Sequence, residues 1–330
     1  MASTPATGAV APPGDPASQG WHRTRRIAAW VFFALVLFLI FRQARTIDWR
    51  GVLASVREIP LPLLLAAAAL AVCSHLLYST YDLLGRRMTG HRLRTSSVMG
   101  ITFISYAFNL NLGALVGGIA FRYRLYSRLG LDNNTITRVL AFSMLTNWFG
   151  YFAVAGAAFC FWPMPLPPEW KIGDEGLRIL GALLILAGLA YLILCAIARE
   201  HTWRIHGHEI DTPPLRIALL QLVISSANWS LIGGVIWFLL EQRLPYPSVL
   251  GVFLVAAVAG VITHIPGGLG VLEAVFIALL SHRLSQDQLL GALLAYRALY
   301  YLLPLIVACV VYIATEVHTK RLRRRLATAR

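Results

Sequence analysis

The stretch His264-Ile265-Pro266-Gly267-Gly268-Leu269-Gly270-Val271-Leu272-Glu273 lies inside an apolar run that extends from 248 to 281. One proline and three glycines within five residues stop any helix that reaches them. In a soluble protein such a break belongs in a surface loop. Here it interrupts a segment long enough to enter a bilayer. At that depth irregular backbone survives only where protein covers it or water fills a cavity. A second break marks the apolar segment 97–121, at Asn109-Leu110-Asn111-Leu112-Gly113 and again at Gly117-Gly118. Gly117-Gly118-Ile119-Ala120-Phe121-Arg122 and the stretch from Gly267 to Glu273 follow one order: Gly-Gly, apolar, small, apolar, then a charge one or two residues on.

Composition sets the frame for these breaks. The chain has 330 residues, of which 58% are hydrophobic and 13% charged, against roughly 25% charged in a soluble domain. The mean hydropathy is +0.66. These values exclude a soluble enzyme, a disordered chain, a coiled coil and a disulfide scaffold. Continuous rather than alternating apolar runs also argue against a porin-like barrel. What remains is an all-α polytopic membrane protein. The formal charge is +14, and all but Lys171 and Lys320 of the 29 basic residues are arginine. They flank apolar segments, which points to positive-inside topology and anionic head groups, not nucleic acid. Cys73, Cys160, Cys195 and Cys309 lie in apolar segments at no metal-ligand spacing and read as packing residues.

Runs of spanning length occur at 27–43, 61–81, 139–162, 177–198, 215–240 and 288–315. Residues 1–22 read as a disordered cytoplasmic tail, 23–318 as the transmembrane domain, and 319–330 as a basic cytoplasmic tail. Arg23, Arg25 and Arg26 before the first apolar run resemble a signal peptide. The sequence after Phe41 lacks a small-x-small cleavage site, so the first helix is expected to stay. The loops 82–96 and 122–138 are both arginine-rich, which places both inside and makes 97–121 a re-entrant hairpin. The loops after 162, 240 and 281 carry little positive charge. That makes 248–281 a hairpin entering from the outer face. Six spans and two re-entrant hairpins result, with both termini cytoplasmic. The halves 27–162 and 177–315 become inverted repeats. Arg42, Arg45, Arg50 and Arg57 in the outer loop 42–60 count against this topology. Inverted repeats with Gly/Pro-broken segments in matching positions are the sequence mark of a transport path.

The stretches Tyr106-Ala107-Phe108-Asn109-Leu110-Asn111, Gly117 to Gly130, His264 to Ala274 and Tyr296-Arg297-Ala298-Leu299-Tyr300-Tyr301 resemble the lysylphosphatidylglycerol synthetase-type transmembrane family, over residues 25–320. The likeness is to its stand-alone inner-membrane members. In multi-domain relatives the module is credited with flipping an aminoacylated lipid between leaflets. Their soluble synthetase domain has no counterpart here. The resemblance therefore implies lipid translocation without lipid synthesis.

The candidate substrate-binding residues are Arg122, Arg124, Asn109, Asn111, Gly117, Gly118, His264, Gly267, Gly268, Glu273 and Arg297. Arg122 and Arg124 read either as topology anchors or as phosphate ligands, since guanidinium binds phosphate through paired donors. Glu273 and Arg297 are ionisable groups in an apolar setting and are expected to pair, as a structural clamp or with Arg297 open to phosphate. Asp82 is either an interfacial acid or a partner for an arginine at the inner mouth. Asn109 and Asn111 cap the broken backbone or bind a head group. His264 is a hydrogen-bonded structural residue or a proton shuttle. Asn147-Trp148 and Asn228-Trp229 recur mid-helix and are expected to join helices, and Gly113-x-x-x-Gly117 to pack closely. His201, His206 and His208, near Glu200, Glu209 and Asp211, suit no common metal spacing. Neither a nucleotide motif nor a nucleophile–base pair is present, so no cofactor and no catalysis are expected. The expected cargo is a phospholipid or other phosphate-bearing lipid. A regulatory membrane partner, a homo-oligomer and a lipid-modifying enzyme as partner are the competing expectations.

Overall fold

In a computed structural model, residues 57–162, 173–198, 202–205, 208–263 and 265–328 are described, with single positions 38, 45, 50 and 54. His264 and, apart from position 38, the expected first span 27–43 lie outside the described residues.

Helix α1 (Leu61–Ser79) starts at Pro60 and Pro62, where a missing N–H costs nothing, and runs through Thr80 into α2 (Tyr81–Thr89). Together they form one apolar stretch of 29 residues. Gly90, at φ 70°, ends it. Helix α3 (Thr95–Leu112) stops at Gly113, whose φ of 84° is a backbone state that L side chains rarely adopt. The chain doubles back there. A π-helical segment, π1 (Ala114–Ala120), leads into α4 (Phe121–Arg128). The return leg packs on α3 so closely that a Cβ at Gly117 would lie 2.1 Å from the Asn109 nitrogen. Phe108 and Phe121 stack across the same hairpin at 4.1 Å between ring centres.

Helix α5 (Asn133–Phe161) is capped by Asp132, whose carboxylate accepts from the Thr135 N–H at 2.9 Å. Helix α6 (Asp174–Ile197) follows. A two-stranded antiparallel ribbon, β1 (Thr202–Ile205) with β2 (His208–Asp211), precedes α7 (Leu215–Leu239). Gly150 of α5 lets α7 approach, since a Cβ there would lie 2.2 Å from Ser225 Oγ. Helix α8 (Tyr246–Thr263) ends at the second break. A single 3₁₀ turn, Pro266–Gly268, and Gly270 then lead into α9 (Val271–Leu280). Gly267, Gly268 and Gly270 all have positive φ. Helix α10 (Gln286–Tyr296) begins with a capping box between Ser285 and Gln288. It widens into a second π-helical segment, π2 (Arg297–Leu302), and continues as α11 (Leu303–Thr328).

Six stretches among the described residues are long and apolar enough to cross a membrane: 61–89, 133–161, 175–197, 215–239, 246–263 and 286–315. Five coincide with expected spans. The sixth is α8, the first leg of the second hairpin, so that hairpin has unequal legs of 18 and 10 residues. At 1.5 Å per residue the longer leg measures about 27 Å. The outward faces are apolar, as lipid requires: Leu183, Leu186, Ile193 and Ile197 of α6 are each more than half exposed. Cys195 is buried, whereas Cys73 is exposed on α1, so packing does not account for every cysteine.

Candidate functional site

Both Gly-Gly breaks are held by an arginine that is itself held by a carboxylate. At the first break Arg122 of α4 donates through Nη1 to the Gly118 carbonyl at 3.1 Å. Its Nε and Nη2 donate to Asp82 of α2 at 2.9 and 3.3 Å. The Tyr126 hydroxyl donates to the same carboxylate at 2.9 Å. Asp82 is fully buried and Arg122 is 4% exposed. Of the two readings of Asp82, interfacial acid or arginine partner, the structure has the second. It places Arg122 inside the protein rather than at an open mouth. Arg124 lies half-buried two residues further along α4.

At the second break Arg297, the first residue of π2, donates to the carbonyls of Gly267 and Gly268, both at 2.9 Å. It also forms a forked pair with Glu273 of α9 at 2.5 and 2.9 Å. A break at membrane depth strands backbone carbonyls, and a guanidinium is a donor that can satisfy two of them and a carboxylate at once. Glu273 sits in the first turn of α9, where the helix dipole also favours a negative charge. The side chains of Arg297 and Glu273 retain 9% and 15% exposure, more than at the first break.

The tip residues divide between these roles. Asn109 rests against Gly118, while buried Asn111 donates to Ala107 O at 2.8 Å and across to Tyr301 O of π2 at 3.2 Å. Gly117 is the close-approach point and Gly113 the turn. Asn228 joins helices through its side chain, and position 147 does so only through its backbone carbonyl. The Asn147 carbonyl accepts from Ser225 Oγ at 3.1 Å and Trp229 Nε1 at 3.0 Å. Asn228 Oδ1 accepts from Ser74 Oγ at 2.7 Å.

Between the two breaks lies a buried polar core. Ser74 Oγ is 2.6 Å from the Tyr300 hydroxyl, which is 3.0 Å from the Tyr106 hydroxyl. His75 donates through Nε2 to the Tyr300 carbonyl at 3.2 Å. Tyr78 stacks on Tyr106 at 3.6 Å. The sequence reading named none of Ser74, His75, Tyr106 or Tyr300 as site residues. A signal for part of the core was present. Ser74, His75, Tyr78, Tyr81 and Asp82 recur at helical spacing along one face of an otherwise apolar segment.

This geometry can be set beside known proteins. Residues 26–308 match the family model of the lysylphosphatidylglycerol synthase TM region. The chain belongs to that family. Within the family it is 46% identical over 304 residues to the inner membrane protein YbhN of Escherichia coli, covering 92% of this chain and 96% of that one. It is 32% identical over 293 residues to the uncharacterized protein slr0712 of Synechocystis, covering 86% and 90%. It is 23% identical over 297 residues to a phosphatidylglycerol lysyltransferase of Staphylococcus haemolyticus, where the likeness covers 86% of this chain but 33% of the lysyltransferase. As a member of the lysylphosphatidylglycerol synthase transmembrane-region family, the chain is a multi-pass protein of the bacterial inner membrane.

Proposed function

We propose that the protein moves an anionic or phosphate-bearing lipid between leaflets of the inner membrane. The observation that carries this reading is the forked Arg297–Glu273 pair at a glycine break, in a family that includes phosphatidylglycerol-modifying enzymes. A lipid phosphate offers a guanidinium the same two-oxygen face that Glu273 does. Phosphate displaces Glu273 from Arg297, and the two hairpins, entering from opposite faces as inverted halves with both termini cytoplasmic, supply the polar path. Arg297, with Asn109, Asn111 and the carbonyls of Gly267 and Gly268, meets the head group. Arg122 keeps the first hairpin closed on α2. The chain does no covalent chemistry.

The test is lipid movement in liposomes holding the purified protein. Fluorescent phospholipids of several head groups are bleached from outside by an impermeant reductant. Bleaching beyond the outer-leaflet fraction is expected, and its loss in Glu273→Gln and Arg297→Ala. Undiminished movement in both variants removes the pair from the path. Bleaching confined to the outer leaflet, with and without a proton gradient, overturns transport.

One observation favours a second reading. Every nitrogen of both guanidinium groups already donates to the protein. A non-transporting partner that binds lipid or regulates a lipid-modifying enzyme needs no such release. Stable co-purification of such an enzyme, with no lipid movement, selects it.

A further inference from the structure

Among the described residues Glu273 has Arg297 as its cation, through both carboxylate oxygens. The elements packed around it offer no substitute. Helices α8 and α10 pack on α9. The titratable residue of α8 is Tyr246, at the end away from the break. Helix α10 carries Asp287 in its first turn, beside the far end of α9, and Tyr296 next to Arg297. Helix α3, which packs on the 3₁₀ turn, brings Tyr106, already bonded to Tyr300. From π2 come Arg297 and Tyr301, whose ring centre lies 5.5 Å from the guanidinium carbon. Exposure separates this pair from the one at the first break. The Asp82 side chain is fully enclosed, whereas that of Glu273 keeps 15% exposure, an opening for a proton.

Net charge then fixes a consequence. Arg297 and Glu273 together are neutral. A singly charged phosphate on the guanidinium fork neutralises the arginine and leaves the carboxylate alone. The dipole of α9 favours that negative charge, but by less than the loss of a buried partner costs. A lone carboxylate in such a place neutralises itself by binding a proton.

We propose that Glu273 takes a proton from solvent whenever a lipid phosphate takes its place on Arg297, so that one proton travels with each head group through the second break. One O–H bond forms on the carboxyl group, no bond of the lipid changes, and the site is neutral before and after. The inference rests on the phosphate reading of Arg297 and adds to it a coupling to pH. It also gives Glu273 a task in release. Once it gives up the proton, the carboxylate reclaims the guanidinium and expels the phosphate.

The test counts protons on binding. The full chain in detergent is titrated calorimetrically near neutral pH, in buffers of differing ionisation enthalpy. The probe is dihexanoyl phosphatidylglycerol, a phosphodiester that does not itself titrate there. Uptake approaching one proton per lipid is expected, with affinity falling by up to about tenfold per unit rise in pH, because proton uptake favours the complex at low pH. Glu273→Gln is expected to bind with no uptake and no pH dependence, and to hold the phosphate without releasing it, in keeping with its loss of lipid movement. Binding to the parent without proton uptake overturns the coupling and leaves the phosphate reading standing. Uptake that persists in Glu273→Gln puts the proton elsewhere and also overturns the proposal. If the parent binds the probe in no buffer, the phosphate reading itself fails and the coupling falls with it. Dimethyl phosphate, the same diester without tails, is expected to bind far more weakly. Equal affinity for it would make the ligand a free phosphodiester and overturn the lipid's place in the proposal.

Discussion

Arg297 and Glu273, 24 residues apart in sequence, close the second glycine break by a forked ion pair whose guanidinium also reaches the carbonyls of Gly267 and Gly268. One side chain thereby ties α9, the 3₁₀ turn and π2 together. Lysine offers a point charge instead of a planar fork, so it cannot serve a carboxylate and two carbonyls in that geometry. Arg297→Lys is expected to lower stability by about 2 kcal/mol. Glu273→Gln, which keeps one acceptor, should cost less. Equal melting temperatures for Arg297→Lys and the parent would show that the fork is not what holds the break.

The first break relies on a more deeply buried pair. Removing one partner of such a pair strands a charge and costs about 3–5 kcal/mol. Asp82→Ala and Arg122→Leu should each fall in that range. The double variant Asp82→Ala/Arg122→Leu should lose about 2 kcal/mol less than the sum of the singles, because it leaves no charge behind. Reversible unfolding of all three in detergent measures the coupling, and simple additivity would contradict it.

Gly117 and Gly100 make a matched comparison. A methyl group at Gly117 would meet the backbone of α3 at 2.1 Å, and backbone cannot rotate aside. At Gly100 the added carbon meets open space. Gly117→Ala is expected to prevent the first hairpin from closing, with loss of folded protein on size-exclusion chromatography. Gly100→Ala should elute as the parent does. A normal profile for Gly117→Ala would mean that α3 and π1 are not packed as described.

A pH effect is expected at the start of α5. The Thr135 hydroxyl and N–H hold the exposed Asp132 carboxyl below its ordinary value of 3.8. A carboxylate with a lowered folded value adds stability that is full above the unfolded value and is lost as pH falls through the folded one. The first turn of α5 should therefore exchange its amide protons faster below about pH 4, and Asp132→Ala should remove that dependence while exchanging fast throughout. Hydrogen exchange at Thr135 reads both.

Local signals account for what was legible in the sequence. Glycine and proline inside apolar runs located both helix breaks, and the cost of a lone charge in hydrocarbon foretold that Glu273 and Arg297 would meet. The pairing of Asp82 with Arg122 followed the same logic less directly, since several arginines flank that mouth. The unequal legs of the second hairpin were not legible, because composition is uniform through 248–263 and does not say where a helix is long enough to cross. The roles of Ser74, His75 and Tyr300 escaped for a different reason. Two of the relevant acceptors, the carbonyls of Tyr300 and Tyr301, belong to backbone; a regular helix would have used the second for itself, and only Pro304, four residues on, marks the first as unclaimed.

Those two carbonyls give the widened turn at 297–302 a meaning of its own. They receive His75 from α1 and Asn111 from the first hairpin, while the same turn presents Arg297 to the second hairpin. In a regular α-helical turn the Tyr301 carbonyl would return to the amide of residue 305, whereas the Tyr300 carbonyl would face Pro304, which has no N–H to give, so the proline frees one acceptor and the widened turn the other. The irregular turn is thus a fastener that joins α1 and the tip of α3 to the second glycine break. Neither hairpin can shift without tugging on the segment that grips the other.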